Sequence, residues 1–179
     1  MGQGLPMTSN SLIAIVGGMC TGKDVLARIF LEFESQFKIC HFATGIKQIA
    51  RKYFSMVGKN RQLLQKIGRA MREIDPNVWI RLVLAMANKH QKVIVADVRL
   101  ENQAKALIEK GYNLIWLQVS KQIQMHRICK KYGKMAKSHL VALGDETERL
   151  EGLKKYCKFK CEVTTIQAAR NWVKEYLNV

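Results

Sequence analysis

An apolar segment, a loop bounded by glycines and a lysine at the start of a helix follow one another near the beginning of the chain. Residues 13–16 form an unbroken apolar run, and residues 17–23 have the spacing G-x-x-x-x-G-K. Glycines let consecutive backbone N–H groups turn towards one anion, and the following helix adds the positive end of its dipole. Apolar residues at 25, 26, 29 and 33 give that helix its period. The segment therefore predicts a strand–loop–helix unit that binds phosphate groups.

The residues of this loop are candidate ligands of a nucleoside triphosphate such as ATP. Lys23 supplies a full charge towards the β- and γ-phosphates, and Asp24 stands where Ser or Thr usually binds Mg²⁺. A carboxylate beside a triphosphate is unfavourable unless a metal intervenes, so we expect Asp24 to bind Mg²⁺ directly or through water. The candidate ATP-binding residues are Gly17, Gly18, Met19, Cys20, Thr21, Gly22, Lys23, Asp24 and Val25.

Charge and composition limit the partners of the chain. Thirty Lys and Arg against fourteen Asp and Glu give a formal net charge of +16, which suits either a site for several phosphates or a nucleic-acid backbone. Apolar runs are too short to span a bilayer, which takes about 20 residues, so we expect a cytoplasmic protein, in the host cell if it is virus-encoded. Five cysteines without a CxxC pair indicate reduced thiols. The oligomeric state stays open, a homodimer included.

Strand-like and helix-like segments alternate along the chain. Unbroken apolar strands between helices predict an α/β fold in three layers, with a mainly parallel sheet covered on both faces. We expect residues 1–10 to be a flexible leader and residues 11–179 a single domain. The expected strands are 13–16, 38–43, 92–97, 113–119 and 158–163. The expected helices are 45–57, 61–72, one starting near Pro76 with Asp75 as its N-cap, 101–110 closed by Gly111, 121–131 and 165–177.

Polar residues follow two of these strands. Ligands of open α/β sheets lie beyond the carboxyl ends of the strands, which selects Asp97 and Arg99 after one strand and Thr44 and Lys47 after another. Asp97 suits a role in holding Mg²⁺ or metal-bound water, and Arg99 suits a phosphate or carboxylate. The alternative is that Asp97 caps the next helix and Arg99 lies on the surface.

Three further positions keep two interpretations each. Arg69 and Arg72 lie one helical turn apart and form either a substrate contact or a solvated basic face. Trp79 is either a core residue or a platform for a base. Arg127 lies on a basic helix, which either closes a cation over the transferred phosphoryl group as a lid or is simply exposed.

Four segments together resemble the deoxynucleoside monophosphate kinases of bacteriophages, which are P-loop enzymes. They are G-x4-G-K-D, FATGIK, RQLLQKIGRAMREIDPNVW and VIVADVRLENQAKAL, within residues 13–116. The resemblance implies transfer from ATP to a deoxynucleoside monophosphate with Mg²⁺, a sheet ordered 2-3-1-4-5, a helical substrate flap at about residues 45–90 and a lid at about 120–150. It also implies that Lys47, Arg72, Trp79, Asp97 and Arg99 surround the monophosphate.

The chain departs from this pattern at several positions. Val25 stands where Ser or Thr is frequent, Thr44 and Gly45 where Asp and Pro are common, and Arg69 where Thr is frequent. Metal binding would then depend on Asp24, Asp97 and water. Two other hypotheses remain: a P-loop kinase that phosphorylates a hydroxymethylated base in DNA, with Asp97 as the base, and a nucleotide-binding protein with impaired catalysis.

Overall fold

Five parallel strands form one sheet in the part of the chain that the computed structural model describes, residues 11–141 and 150–179. The strands are β1 (Leu12–Val16), β2 (Lys38–Cys40), β3 (Val93–Val98), β4 (Asn113–Gln118) and β5 (Phe159–Glu162). Their order across the sheet is β2-β3-β1-β4-β5. This confirms both the predicted α/β class and the predicted strand order. β1 is central, with Ile13 opposite Ile94 of β3 on one side and Asn113 of β4 on the other.

Helices connect the strands and cover the sheet. Within the described residues they are α1 (Lys23–Phe33), α2 (Ala43–Phe54), α3 (Arg61–Ile74), α4 (Val78–Ala87), α5 (Glu101–Glu109), α6 (Lys121–Tyr132), α7 (Ala136–Val141) and α8 (Ile166–Leu177). Short 3₁₀ segments occupy Gly133–Met135 and Glu151–Tyr156. No helix among the described residues is both long and apolar enough to cross a membrane.

Alternating side chains of the strands build the core on two sides of the sheet. Side chains at odd positions of β1, such as Ile13 and Ile15, pack against α1 and α8, where Phe30 and Val173 are fully buried. Even positions, such as Ala14, face the opposite core, which α4 and α5 cover. This period of two fixes the register, because a slip by one residue would exchange the faces. The helices therefore lie in two layers around the sheet, as predicted.

Two local predictions were wrong for identifiable reasons. The strand predicted at residues 38–43 ends at Cys40, and Ala43 already begins α2. Asp75 is not the N-cap of α4 but follows α3, where its carboxylate accepts the N–H of Asn77 at 2.9 Å and pairs with Arg81. The N-cap of α4 is Asn77. Gly111 does follow α5 with φ +82°, as its predicted C′ position requires.

The predicted flap corresponds to a helical insertion between β2 and β3. It contains α2, α3 and α4, whereas a crossover between parallel strands needs only one helix. The predicted lid includes α6 and α7, and its residues 142–149 lie outside the described residues, as does the predicted leader at residues 1–10. The division into a flap, a lid and a core stays a prediction.

Candidate functional site

The loop between β1 and α1 is wound tightly at the carboxyl end of the central strand. A Cβ at Gly17 would lie 2.9 Å from the carbonyl oxygen of Leu117 and 2.9 Å from Oγ1 of Thr21, so only glycine fits. Gly22 has φ +107°, a backbone conformation that favours glycine. The Thr21 hydroxyl donates to the Gly18 carbonyl at 2.9 Å. The loop thus enters α1 without a side-chain cap at its first turn, as an anion site at a helix N-terminus requires.

Lys23 is the first residue of α1, and its side chain folds back over the loop. Its ammonium group donates to the Gly18 carbonyl oxygen at 2.6 Å, and the residue is only 8% exposed. A buried ammonium group is costly unless it has hydrogen-bond partners. The ammonium group of Lys23 therefore lies against the loop, where it could bind phosphate oxygens.

Asp97 lies in β3 near its carboxyl end, and its carboxylate is bonded to a neighbouring turn. One oxygen accepts the N–H of Phe42 at 2.7 Å and the other that of Ala43 at 3.0 Å. Nδ1 of His41 is 4.0 Å from the second oxygen. Asp97 thus caps the N-terminus of α2, the helix that follows the neighbouring strand β2.

Asp97 does not cap the helix that follows it, so that alternative was wrong. The side-chain oxygen of Gln103 accepts the N–H groups of Arg99 at 2.9 Å and of Leu100 at 3.2 Å at the start of α5. A glutamine or glutamate at the third helical position is a recognisable capping signal, and it was missed in the sequence.

A cleft of about 800 Å³ opens above the loop at the carboxyl edge of the sheet. This is a usual size for a site that encloses a small ligand. Among the residues that the structure describes, ten lysines and arginines line it, against two carboxylates, those of Asp24 and Asp97. The cations are Lys23, Arg28, Lys47, Lys59, Arg61, Arg72, Arg99, Arg127, Lys130 and Lys131. Such an excess of positive charge in a partly enclosed space suits a ligand with several negative charges.

The cleft brings together most of the predicted substrate residues. Lys47, Arg72, Trp79 and Arg99 line it, together with loop residues 19–25. Thr44 and Arg69 do not line it. Thr44 was expected just past a strand end, but because β2 ends early it lies in the first turn of α2. Arg69 is exposed on α3.

Trp79 is a core residue, and its role as a platform for a base stays a prediction. Only 3% of it is exposed, and its indole N–H donates to the Gly68 carbonyl at 3.2 Å. It belongs to the core formed by α4 and also lines the cleft. Gly45 of α2 lies against this ring, where a Cβ would come within 2.9 Å of Cζ3. The aromatic wall of the cleft therefore packs against α2 and is hydrogen-bonded to α3.

Helix α6 contacts the loop from the opposite side. Arg127 donates to the Thr21 carbonyl at 3.0 Å and to the Thr164 carbonyl at 3.0 Å, and the amide of Gln124 donates to the Met19 carbonyl at 2.7 Å. The side chain of Met19 is buried against Ile128 of the same helix. Gln124 and Thr164 were missed in the sequence, because contacts to backbone carbonyls leave no pattern in side-chain spacing.

Asp24 and Asp97, the two predicted Mg²⁺ ligands, both line the cleft. Among the residues described, no three His, Cys, Asp or Glu side chains group as a complete metal site. Mg²⁺, however, keeps several waters and is usually held by one or two carboxylates together with substrate phosphates. Asp24 and Asp97 line the same cleft, so these two residues would hold the ion.

Comparison with known proteins places the fold but finds little sequence similarity. No family model matches the chain. The uncharacterized protein ORF76 of Ictalurid herpesvirus 1 (strain Auburn) is 26% identical over 107 residues, which are 56% of this chain and 44% of that protein. The chain thus spans less than half the length of this relative.

Solved structures, among them two shikimate kinases, superpose over nearly the whole chain. Shikimate kinase from Acinetobacter baumannii, in complex with shikimate, matches with a TM-score of 0.59 at 15% identity, over 96% of this chain and 93% of that one. Shikimate kinase from Bacteroides thetaiotaomicron matches with a TM-score of 0.58 at 11% identity, over 93% and 98%. TT1252 from Thermus thermophilus matches with a TM-score of 0.57 at 15% identity, over 93% and 95%. The chain therefore has the three-layer α/β fold of the P-loop kinases.

Proposed function

We propose that this protein is an ATP- and Mg²⁺-dependent phosphotransferase whose acceptor is a nucleoside or deoxynucleoside monophosphate. The observation that carries the proposal is the charge of the cleft, where ten cations face two carboxylates within residues 11–141 and 150–179. A phosphate monoester carries about 1.5 to 2 negative charges at pH 7, so a donor and an acceptor that both carry phosphate account for such an excess. The resemblance to bacteriophage deoxynucleoside monophosphate kinases supports the same acceptor.

The two ends of the cleft suit the two substrates. The backbone N–H groups of the loop and the ammonium group of Lys23 bind the β- and γ-phosphates of ATP, while Arg127 braces the loop through the Thr21 carbonyl. Lys47, Arg72 and Arg99 bind the acceptor phosphate across the cleft. Trp79 forms an apolar wall for the base. Mg²⁺, when held by Asp24 and Asp97, neutralises charge on the phosphate oxygens.

A phosphate acceptor also agrees with the hydrogen bonds that the Asp97 carboxylate already makes. Its two oxygens already accept backbone N–H groups at 2.7 and 3.0 Å, which leaves this carboxylate poorly placed to take a proton from an alcohol. A phosphate oxygen is already an anion and needs no general base. Positioning and charge neutralisation by the surrounding cations then carry the catalysis.

An assay of ADP release over all ribo- and deoxynucleoside monophosphates tests the proposal. We expect turnover with at least one of them. Lys23→Ala should reduce it by a factor of about 100 or more, since electrostatic contacts to the reacting phosphates are worth several kcal/mol. Lys52→Ala, which removes an exposed cation outside the cleft, should leave it unchanged. ADP release with shikimate but with none of the monophosphates would contradict the proposal.

A second candidate acceptor is a hydroxymethylated base in duplex DNA. The net charge of +16 favours it, because many of the lysines and arginines in the described part of the chain lie outside the cleft. Duplex DNA in the same assay separates the two, since transfer to a polymer should fall steeply with salt. Nucleotide binding by calorimetry without ADP release from any acceptor would instead indicate a binding protein with impaired catalysis. We further propose that the protein acts in the cytoplasm of a host cell, and the similarity to a herpesvirus protein supports a viral origin.

A further inference from the structure

The net charge of the chain comes from two stretches that contain no acidic residue. Residues 35–72 hold nine Lys and Arg, residues 110–144 hold seven, and neither stretch contains Asp or Glu. The rest of the chain has fourteen cations and fourteen carboxylates and is therefore neutral. The first stretch contains α2 and most of α3, and the second contains α6 and α7. Both line the cleft, through Lys47 and Lys130 among others, so the excess positive charge is concentrated around it.

Several cations outside these stretches are neutralised by carboxylates, whereas cations within them are not. Arg170 lies 2.9 Å from Glu32, and Lys160 lies 2.8 Å from Glu162. Five cations of the acid-free stretches have no carboxylate within 4.0 Å in the described part of the chain: Lys47, Arg51, Lys130, Lys134 and Lys137. Neighbouring cations without counter-charges repel one another, and an anionic partner relieves that repulsion.

One face of α2 continues out of the cleft. Lys47, Arg51 and Phe54, the α2 stripe, follow at intervals of four and three residues and therefore share that face. Lys47 lines the cleft, whereas Arg51 and Phe54 are exposed and do not line it. Phe54 is 55% exposed and belongs to no hydrophobic cluster of the described residues. Cations beside an exposed aromatic ring are typical of surfaces that bind the phosphates and stack on the bases of single-stranded nucleic acid.

Basic residues also continue from the end of α6 into α7. Lys130, Lys134 and Lys137 form the α6–α7 stripe. The first lines the cleft, and all three are exposed. The rings of Tyr132 in α6 and His139 in α7 stack with centroids 3.6 Å apart, which holds the two helices together. Cations therefore extend outward from the cleft on this side as well.

We propose that the α2 stripe and the α6–α7 stripe bind a single-stranded nucleic acid that lies across the cleft. The cations contact backbone phosphates, and Phe54 stacks on a base. A duplex offers Phe54 no free base face. An anionic membrane fits less well, because a cleft of about 800 Å³, and not a flat face, joins the two stripes. This surface goes beyond the proposed function, since it does not depend on which acceptor is phosphorylated.

Binding of a labelled oligothymidylate of about 20 nucleotides, followed by fluorescence anisotropy without ATP or Mg²⁺, tests this surface. The test variant combines Arg51→Gln, Lys134→Gln and Lys137→Gln, at positions that do not line the cleft. We expect its affinity at constant salt to fall by about tenfold or more. The slope of log affinity against log salt should become shallower by about 2, because each phosphate contact of a single strand contributes about 0.7.

The control variant removes the same amount of charge elsewhere. It combines Lys89→Gln, Lys110→Gln and Lys174→Gln, all at exposed positions. Lys89 and Lys110 precede β3 and β4, at the amino ends of the strands, and Lys174 lies in the last turn of α8. We expect its affinity and salt slope to stay close to those of the wild type. Equal losses in the two variants would overturn the proposal, because binding would then follow net charge alone.

Phe54→Ala separates stacking from charge. We expect it to weaken binding of the single strand by about fivefold or more and to leave binding of a duplex of the same length unchanged. Duplex binding as tight as that of the single strand, or binding to phosphatidylserine vesicles in place of the strand, would overturn the proposal. So would a loss of dimers in Phe54→Ala on sedimentation with unchanged strand affinity, since Phe54 would then join two copies of the chain. Absent turnover with every nucleoside monophosphate would contradict only the proposed function, because strand binding needs no ATP.

Discussion

The carboxylate of Asp97 accepts the backbone N–H of Phe42 at 2.7 Å, across 55 positions of the chain. With the second bond, from Ala43 at 3.0 Å, it joins β3 to the start of α2. Negative charge at a helix N-terminus is favourable, and here it comes from a different strand. The two bonds therefore fix the start of the helix that carries Lys47, the proposed acceptor-binding cation, and the same carboxylate lines the cleft.

Asp97→Asn should destabilise the protein even without metal or nucleotide. An amide has one acceptor oxygen in place of two and no charge, so one backbone N–H loses its partner. Hydrogen bonds to charged groups contribute about 1.5 to 3 kcal/mol, and we expect a loss of free energy of unfolding in that range. Urea unfolding measures it. Glu109→Gln, at an exposed carboxylate of α5, should change stability by less than about 0.5 kcal/mol. Equal urea midpoints for both variants would contradict the role of Asp97 in joining β3 to the start of α2.

Asp24→Asn should change the dependence on Mg²⁺ more than the affinity for nucleotide. Asp24 is exposed at the first turn of α1 and lines the cleft, so Asp24→Asn removes the proposed metal ligand without disturbing the core. We expect the Mg²⁺ concentration for half-maximal turnover to rise by about tenfold or more. ATP binding measured without Mg²⁺ should be unchanged or stronger, because a negative charge beside the phosphates is gone. An unaltered Mg²⁺ titration would exclude Asp24 as a ligand.

Arg127→Gln should weaken ATP binding and leave the acceptor unaffected. The guanidinium group joins the Thr21 carbonyl of the loop to the Thr164 carbonyl at 3.0 Å each. Its loss frees the loop from the segment after β5, and a cost of about 1.4 kcal/mol corresponds to a tenfold rise in KM for ATP. Lys121→Ala, an exposed cation on the first turn of the same helix, serves as the control. A rise in the KM of the acceptor instead would place Arg127 in the lid role that its position in the sequence had suggested.

The fold class could be predicted from the sequence because the patterns that indicate strands, helices and the loop after β1 are local. Apolar strands that alternate with helices, and the loop after β1, predicted the α/β class and the carboxyl edge where the cleft lies, whereas the strand order came from the family resemblance. The partner of Asp97 could not be predicted, because a side chain that binds backbone N–H groups 55 residues away leaves no spacing signal. Arg72 and Arg69 show that spacing alone could not tell which residue of one helix lines the cleft. Gly68 is buried, and Arg72, four residues on, shares its face, whereas Arg69 points away from the cleft.

Gly45→Ala should destabilise the protein although alanine is the better helix former. Replacing glycine within a helix gains up to about 1 kcal/mol when space allows. At Gly45 a Cβ would overlap Cδ2 of Leu82 and lie 2.9 Å from Cζ3 of Trp79. The Trp79 ring cannot yield easily, since it is buried and bonded to the Gly68 carbonyl.

Overpacking of this kind costs about 1 to 3 kcal/mol, so we expect a net loss of stability for Gly45→Ala. Because α2 and α4 would have to separate, the wall formed by Trp79 should move and the KM of the acceptor should rise with it. Gly152→Ala is the matched control, since a Cβ there meets nothing within 4 Å, and its urea midpoint should be unchanged or slightly higher. If the urea midpoint of Gly45→Ala equals or exceeds that of Gly152→Ala, the close packing of α2 on α4 does not determine the position of the Trp79 wall.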